Sequence, residues 1–318
     1  MTHPAEDIFR ALGDRTRLRI LVLLRHLELT VGELALVLGQ SQPRMSQLIK
    51  ILLEIDLVRR RKEGNSVFLS LGDPVQVQPV FELLDRWAAS GCEDAWFDAD
   101  KAKLKAIRTD RASEAQRFFE RNAARWDELR SLHVPEAQVD AAVLAALGDR
   151  PLGRLLDIGT GTARMLQMLA PRAASALGID RSPEMLRYAR ENLASAGVDA
   201  VLSQGDMYAL PLPDGSVDTI ILHQVLHYAH HPEAVIAEAA RVLAPDGIIV
   251  IVDVAPHDRE DFRKRFAHAR LGFADEAVEK WLAQAGLSGR TDAHLHGALT
   301  IAIWTATRHA ESKLKSVS

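Results

Sequence analysis

Asp157, Gly159 and Gly161 stand in the run Leu-Leu-Asp-Ile-Gly-Thr-Gly-Thr-Ala at residues 155–163, with a carboxylate two positions ahead of the first glycine. Glycine admits backbone angles that a side chain forbids and lets the main chain close on a ligand. An apolar strand running into such a turn binds a nucleotide-like group. A dinucleotide site requires Gly-X-Gly-X-X-Gly, whose third glycine lets the helix pack on the strand with its N-terminus facing a pyrophosphate. Arg164 holds that third place here. Its bulk and charge argue against NAD or FAD, and Asp157 repels a pyrophosphate but attracts an ammonium group. Asp180 lies 19 positions beyond Gly161, at the end of the apolar stretch 176–180, where an acid accepts hydrogen bonds from both ribose hydroxyls. Asp206 and Met207 follow another apolar run at 198–202. His223, Gln224, His227 and Tyr228 come directly after the apolar stretch 217–222. His227, or else His223, is a candidate general base for an oxygen or nitrogen nucleophile. The alternative is a histidine with a structural or ligand-packing role.

These side chains need a sheet to bring them together. The order is strand, glycine turn, helix (164–169), strand (176–180), acid, helix, strand (198–202), acid, which is an alternation that predicts a parallel α/β sheet. Further strands are expected at 217–222 and 248–252, with a helix opening at Pro232 between them and a last antiparallel strand over 297–307. Ligands of open α/β sheets bind beyond the carboxyl ends of the strands, where all of these residues fall.

The glycine turn resembles motif I of class I S-adenosylmethionine (SAM) methyltransferases, acidic-X-Gly-X-Gly-X-Gly, with Ala163 in place of the last glycine. At a helix start that change is expected to be mild. Arg241-Val242-Leu243-Ala244-Pro245-Asp246-Gly247 is a second element of the same resemblance. The resemblance implies a Rossmann-like sheet binding SAM or S-adenosylhomocysteine through Asp157, Gly159, Thr160, Gly161, Asp180, Arg181, Asp206, Met207 and His223. In ubiquinone-biosynthesis-type methyltransferases the segment ahead of motif I folds over the cofactor, which makes residues 93–131, with Phe119 and Trp126, a candidate lid. An ordinary core stripe is the other reading of that segment.

Residues 6–72 have a different pattern. Asp14 is placed to cap a helix, Thr30 and Glu33 have capping-box spacing, Gly39 ends a short helix, and Ser41-Gln42-Pro43 opens the next. In that helix Met45, Leu48, Ile49 and Leu52 share one face, turning Arg44, Gln47 and Lys50 elsewhere. The layout is that of a helix-turn-helix whose second helix enters the major groove, with a hairpin wing over 58–62 and 66–69. The candidate DNA contacts are Gln40, Ser41, Gln42, Arg44, Gln47 and Lys50, with Arg59, Arg60, Arg61 and Lys62 in the wing. The segment resembles the ArsR family of winged-helix repressors through Ala11-Leu12-Gly13-Asp14-Arg15-Thr16-Arg17-Leu18-Arg19-Ile20-Leu21, residues 46–52 and the wing. Metal-sensing members carry Cys-Val-Cys where this chain has Thr30-Val31-Gly32, so the resemblance implies no metal at that site. It does imply a homodimer on a double-stranded operator, formed through the helix at 75–89 with its stripe of Val80, Phe81, Leu84, Trp87 and Ala88.

Composition agrees with two units meeting different partners. Residues 1–72 hold 11 basic against 8 acidic side chains, whereas the net charge of the 318-residue chain is −4. The single cysteine, Cys92, rules out an intrachain disulfide or a thiolate cluster and disfavours arsenite methylation. No apolar run is long enough to cross a bilayer and no leader pattern is present, so a cytoplasmic protein without membrane or metal partners is expected. The expected organisation is α/β: an N-terminal winged helix-turn-helix with its dimerisation helix (1–92), a helical linker or lid (93–131), a Rossmann-like class I methyltransferase sheet (132–310) and a tail (311–318). Two functions follow from it. One is a transcriptional regulator that senses SAM or S-adenosylhomocysteine; the other is an active small-molecule methyltransferase whose ArsR part regulates its own gene or dimerises it.

Overall fold

The structure is a computed structural model and describes residues 5–63, 66–90, 99–107 and 134–308. By its contacts the chain divides into two compact units, Met1–Glu114 and Ala115–Ser318.

The first unit runs α1 (Ala5–Leu12), α2 (Arg15–Leu24), β1 (Leu29–Thr30), α3 (Val31–Leu38), α4 (Gln42–Glu54), β2 (Val58–Glu63), β3 (Ser66–Leu71) and α5 (Pro74–Ala89). Its helix ends are fixed where the side chains dictate. Asp14 accepts from the backbone of Thr16 and Arg17, Thr30 and Glu33 close a capping box, and Gly39 stops α3 in the left-handed conformation. The hairpin of β2 and β3 is joined by β1, which pairs antiparallel with β3, so the wing is rooted in a three-stranded sheet. Ile20, Leu34, Met45, Leu48, Leu52 and Leu69 are buried in one core.

Two expectations change here. Phe81, placed in a dimerisation stripe, is buried in the unit's own core together with Val77, because the first half of α5 lies against it; Trp87, later in α5, is 53% exposed. The described part of the 93–131 segment, a helix at 99–107, also belongs to this core through Leu104 and Ile107. Arg19 grips Asp100 with two hydrogen bonds of 2.7 and 2.6 Å, and Lys103 donates to the carbonyl of Val37 at 2.8 Å. Phe119, Trp126 and Cys92 lie outside the described residues.

The second unit begins with α6 (Glu136–Leu147) and continues β4 (Arg154–Ile158), α7 (Arg164–Leu169), β5 (Ser175–Asp180), α8 (Pro183–Ala196), β6 (Val201–Gln204), β7 (Val217–His223), α9 (Pro232–Val242), β8 (Leu243–Val254), α10 (Asp261–Phe266), α11 (Asp275–Gln284), β9 (Ser288–Leu295) and β10 (Ile301–Thr307). The sheet order is β6-β5-β4-β7-β8-β10-β9, parallel from β6 to β8 and antiparallel beyond. Apolar side chains cover both faces, with Val143, Leu166 and Ala189 on one side and Ile236, Val278 and Leu282 on the other. That explains why Ile248–Val252 is an unbroken apolar run, since a strand buried on both faces has no polar side to show. The third strand lies at Val201–Gln204 and not over 198–202, because α8 closes in a left-handed Gly197 cap and the chain must clear it before pairing with β5. The last strand starts at Ile301, and β9, which pairs with it at the edge, was not expected.

Candidate functional site

Strand order reverses between β4 and β7, since the chain leaves β4 outward through β5 and β6 and then returns to β4's other side. The loops diverging there open a crevice beyond the carboxyl ends. Gly159 (φ +70°) and Gly161 (φ +53°) make the first of those loops, with the N–H groups of Gly159 and Thr160 donating to the carbonyl of Ile179 at 2.8 and 3.0 Å. A Cβ on Gly159 would sit 2.3 Å from Cγ2 of Val225, so the turn after β7 presses directly on the glycine turn. Ala163 is the correction to the sequence reading. It is no ordinary helix start, since φ is +68° and the residue is fully buried, a conformation that costs an L side chain about 1–2 kcal/mol.

Asp157 is buried and its Oδ2 accepts from Thr160 Oγ1 at 2.6 Å, which braces the turn from inside. Asp180 ends β5 half-buried, with Oδ2 accepting from Gly161 N–H and Oδ1 from Ser182 N–H, each at 2.8 Å. Desolvation pushes its carboxyl above the usual range, opposed by those backbone donors. A carboxylate offers about four acceptor positions, so room remains for hydroxyl donors. Arg181 and Asp206 are exposed at the ends of β5 and β6; Asp206 Oδ1 accepts from Tyr208 N–H at 3.0 Å, and Met207 is half-buried beside it. The strand ends therefore bring together every candidate from 157 to 207.

His223 and Gln224 line a pocket with Val134, Glu136, Val139, Asp140 and Arg164. Gln224 has φ +51°, a strained angle of the kind that gathers at functional sites. Arg164 pairs with Asp140 and lies 3.7 Å from Glu136. The sequence reading saw in Arg164 only a missing glycine, because its partners belong to a helix 24 and 28 residues upstream. His227 sits two residues beyond Val225 in a short 3-10 turn, Leu226–Tyr228. Its Nδ1 meets Oδ1 of the fully buried Asp253 at 2.6 Å. Asp253 also accepts from the N–H groups of Leu226 (2.9 Å), His227 (3.3 Å) and Val254 (2.8 Å). An acid interrupting the apolar stretch 248–254 was the available signal for this residue. Among the described residues no group of three or more histidine, cysteine or carboxylate side chains is arranged to hold a metal.

On the first unit, Gln40, Ser41, Gln42, Arg44, Gln47 and Lys50 are all exposed, while Met45, Leu48, Ile49 and Leu52 are buried. The wing cations divide. Arg61 is held by Glu28 at 2.9 Å and lies over the Phe68 ring, and Arg59 reaches Asp73 at 3.4 Å. Arg44, Arg60 and Lys62 form no ion pair among the described residues.

Residues 156–251 match the family model described as a methyltransferase domain, and residues 14–60 that of the bacterial regulatory proteins of the arsR family. The chain joins an ArsR-family helix-turn-helix to a class I methyltransferase domain. Relatives include phosphatidylethanolamine N-methyltransferase of Cereibacter sphaeroides, 35% identical over 136 residues covering 40% of this chain and 66% of that one. Demethylmenaquinone methyltransferase of Thermus thermophilus is 36% identical over 112 residues, 34% of this chain and 50% of its own. The chain thus spans half to two thirds of the length of these curated relatives. The crystal structure of the Bacillus subtilis YcgJ protein superposes with a TM-score of 0.50 at 20% identity, covering 55% of this chain and 99% of that one. At that identity the likeness speaks for the fold. A methyltransferase domain of this class implies a site for SAM, and the crevice fits one, with a glycine turn at positive φ, a carboxylate at the tip of β5 and another beyond β6.

Proposed function

We propose that the chain is a homodimeric, cytoplasmic transcriptional regulator whose methyltransferase-fold domain binds SAM or S-adenosylhomocysteine and thereby changes its affinity for a DNA operator. The observation that carries this reading is the exposed polar face of α4 with Arg44, Gln47 and Lys50, together with the wing cations Arg60 and Lys62, which form no ion pair among the described residues, in the same chain as the glycine turn. Cations held in no internal ion pair are available to displace counterions from phosphate. In the ligand site Asp180 takes the ribose hydroxyls, Asp206 and Met207 the adenine, and the backbone of Gly159, Thr160 and Gly161 lies along the ligand, with Asp157, Arg181 and His223 around it. A coupling of about 1–3 kcal/mol, or roughly 5–150-fold in operator affinity, is the usual range for such a response.

The test is selection of bound duplexes from a random pool by the full chain, followed by titration of the selected operator with SAM and with S-adenosylhomocysteine. Operator affinity that is the same with either ligand and with neither refutes the sensor. By linkage the operator must change ligand affinity by the same factor, which calorimetry checks independently.

A second reading, turnover of a methyl acceptor, is favoured by one observation. The His227–Asp253 pair is the constellation of an oriented proton acceptor beside the methyl-donor site.

A further inference from the structure

We infer that the helix described at 99–107 is a strap on the helix-turn-helix. Docked, it holds α2 and the end of α3 in the geometry that binds DNA, and its release is the step by which the ligand state of the second unit reaches the operator. The inference rests on the regulator reading and names the element through which regulation acts.

Asp100, Leu104 and Ile107, spaced i, i+4, i+7, are the buried positions of this helix, and its other six described positions are exposed. Leu104 and Ile107 enter the core that also holds Ile20 of α2, Leu34 of α3 and Met45 of α4. Asp100 meets Arg19 of α2 in two hydrogen bonds of 2.7 and 2.6 Å, the carboxylate buried and the guanidinium half-buried. A two-pronged pair of this kind fixes the angle and register of the helix, because the planar guanidinium accepts a carboxylate in few orientations.

Lys103 grips the other partner, α3, at the end that leads to the DNA-facing helix. The last four carbonyls of a helix lack intrahelical partners. In α3 the carbonyls of Leu36 and Ala35 accept from the N–H groups of Gly39 and Gln40 at 3.4 and 2.9 Å, and the carbonyl of Val37 accepts from the Lys103 ammonium at 2.8 Å. A positive charge at that end also complements the helix dipole. Gln40, Ser41 and Gln42 follow Val37 within five residues, so Lys103 braces the turn from which α4 starts.

The same features make the strap releasable. With two apolar anchors and six exposed positions it buries little apolar area of its own, as do segments that open well below the free energy of global unfolding. When the helix leaves as a whole, Asp100 and Arg19 are both rehydrated, and the hydration regained offsets much of the attraction lost; removing one partner alone strands the other. The grip is therefore specific when made and modest in net free energy. In chain order this helix is the last described element of the first unit, so a change in the second unit transmitted along the chain meets it first.

The test follows hydrogen exchange of peptides from 99–107 and from α4 in the full chain, together with affinity for the selected operator duplex, with and without SAM or S-adenosylhomocysteine. In wild type a ligand that lowers operator affinity is expected to speed exchange at 99–107, and one that raises affinity to slow it. Asp100→Asn is expected to speed that exchange at least about tenfold and to lower operator affinity at least about fivefold, with α4 still protected and adenosyl-ligand affinity unchanged. Lys103 is exposed, so its variants leave the core intact. Lys103→Met is expected to lower operator affinity and weaken the ligand response, and Lys103→Arg, which keeps a charged donor, to restore both. An operator response in wild type with exchange at 99–107 unchanged overturns the proposal. So does an Asp100→Asn chain that stays folded and binds operator as wild type does, or equal operator affinities of Lys103→Met and Lys103→Arg. Wild type that binds no duplex, or whose operator affinity responds to neither ligand, refutes the regulator reading itself, which is a separate outcome.

Discussion

Gly159→Ala tests whether the crevice is held by close backbone approach. The substitution puts a side chain at φ +70°, which costs about 1–2 kcal/mol. It also places a Cβ 2.3 Å from Cγ2 and 2.9 Å from Cβ of Val225, a β-branched side chain with little rotamer freedom. Overpacking of that kind adds about 1–3 kcal/mol, so the second unit should lose about 2–5 kcal/mol. Val225→Ala removes the nearer carbon and leaves the other, so in that background the clash is relieved in part while the backbone term stays. The double-mutant cycle should therefore show a favourable coupling of about 1 kcal/mol, outside the 0.3–0.5 kcal/mol scatter of independent sites. Urea denaturation of the full chain, with hydrogen exchange reporting β4 and β10 separately from the first unit, measures all four proteins. Strict additivity would refute the claim that Val225 and Gly159 are fitted to each other.

Three further outcomes are expected. Asp180→Asn replaces an acceptor of the Gly161 and Ser182 N–H groups by a group that also donates, and should weaken SAM and S-adenosylhomocysteine binding by calorimetry at least about tenfold, 1.4 kcal/mol, leaving ligand-free operator affinity intact; unchanged ligand affinity would remove Asp180 from the site. Arg60→Ala should weaken operator binding and lower the salt slope by about one, whereas Arg61→Ala should do so less, because Glu28 already holds Arg61; equal losses in filter binding across a salt series would count against the division of the wing. Glu238 is held below the usual glutamate value of about 4.3 by Arg241, so its contribution is present above that pH and is lost as pH falls through the lower folded value. Glu238→Gln should thus narrow its stability gap to wild type below about pH 4, and a gap that widens on acidification reverses the sign of the argument.

The sequence made legible whatever is decided within a turn or a strand. Asp14, Thr30, Glu33 and Gly39 act on neighbours two to four residues away, and their caps form as read. The alternation of glycine turn, acids and apolar runs likewise predicts β4, β5 and β7. What escaped depends on partners distant in sequence. Asp253 meets His227 only once β8 lies beside β7, and the register pairing His223 with Val252 sets that distance. Arg164 acquires its carboxylates from α6, and Phe81 faces inward because of where α5 docks. Ser288–Leu295 alternates half-buried and exposed positions but carries few β-branched or aromatic residues, so the edge strand β9 gives little signal until β10 pairs with it.

Of the described non-glycine residues at positive φ in the second unit, Asp246 and Ala267 lie elsewhere and two lie at the crevice. Ala163 and Gln224, neither of them glycine, hold positive φ on the two loops that flank the switch point, at about 1–2 kcal/mol each by the cost of the left-handed region. Val225 wedges the second loop against the first, and Asp253 ties its backbone to β8 through Leu226 and His227. Such angles persist only where surrounding contacts over-determine them. A ligand shifts a conformational equilibrium by no more than its differential affinity for the two states. The strain held in this pair of loops, about 2–4 kcal/mol in all, is the same size as an ordinary allosteric coupling. Contacts made by a nucleoside to the Gly159–Gly161 turn would fall on a segment that Val225 and Asp253 hold in place, and both the sensing and the turnover readings draw on that segment.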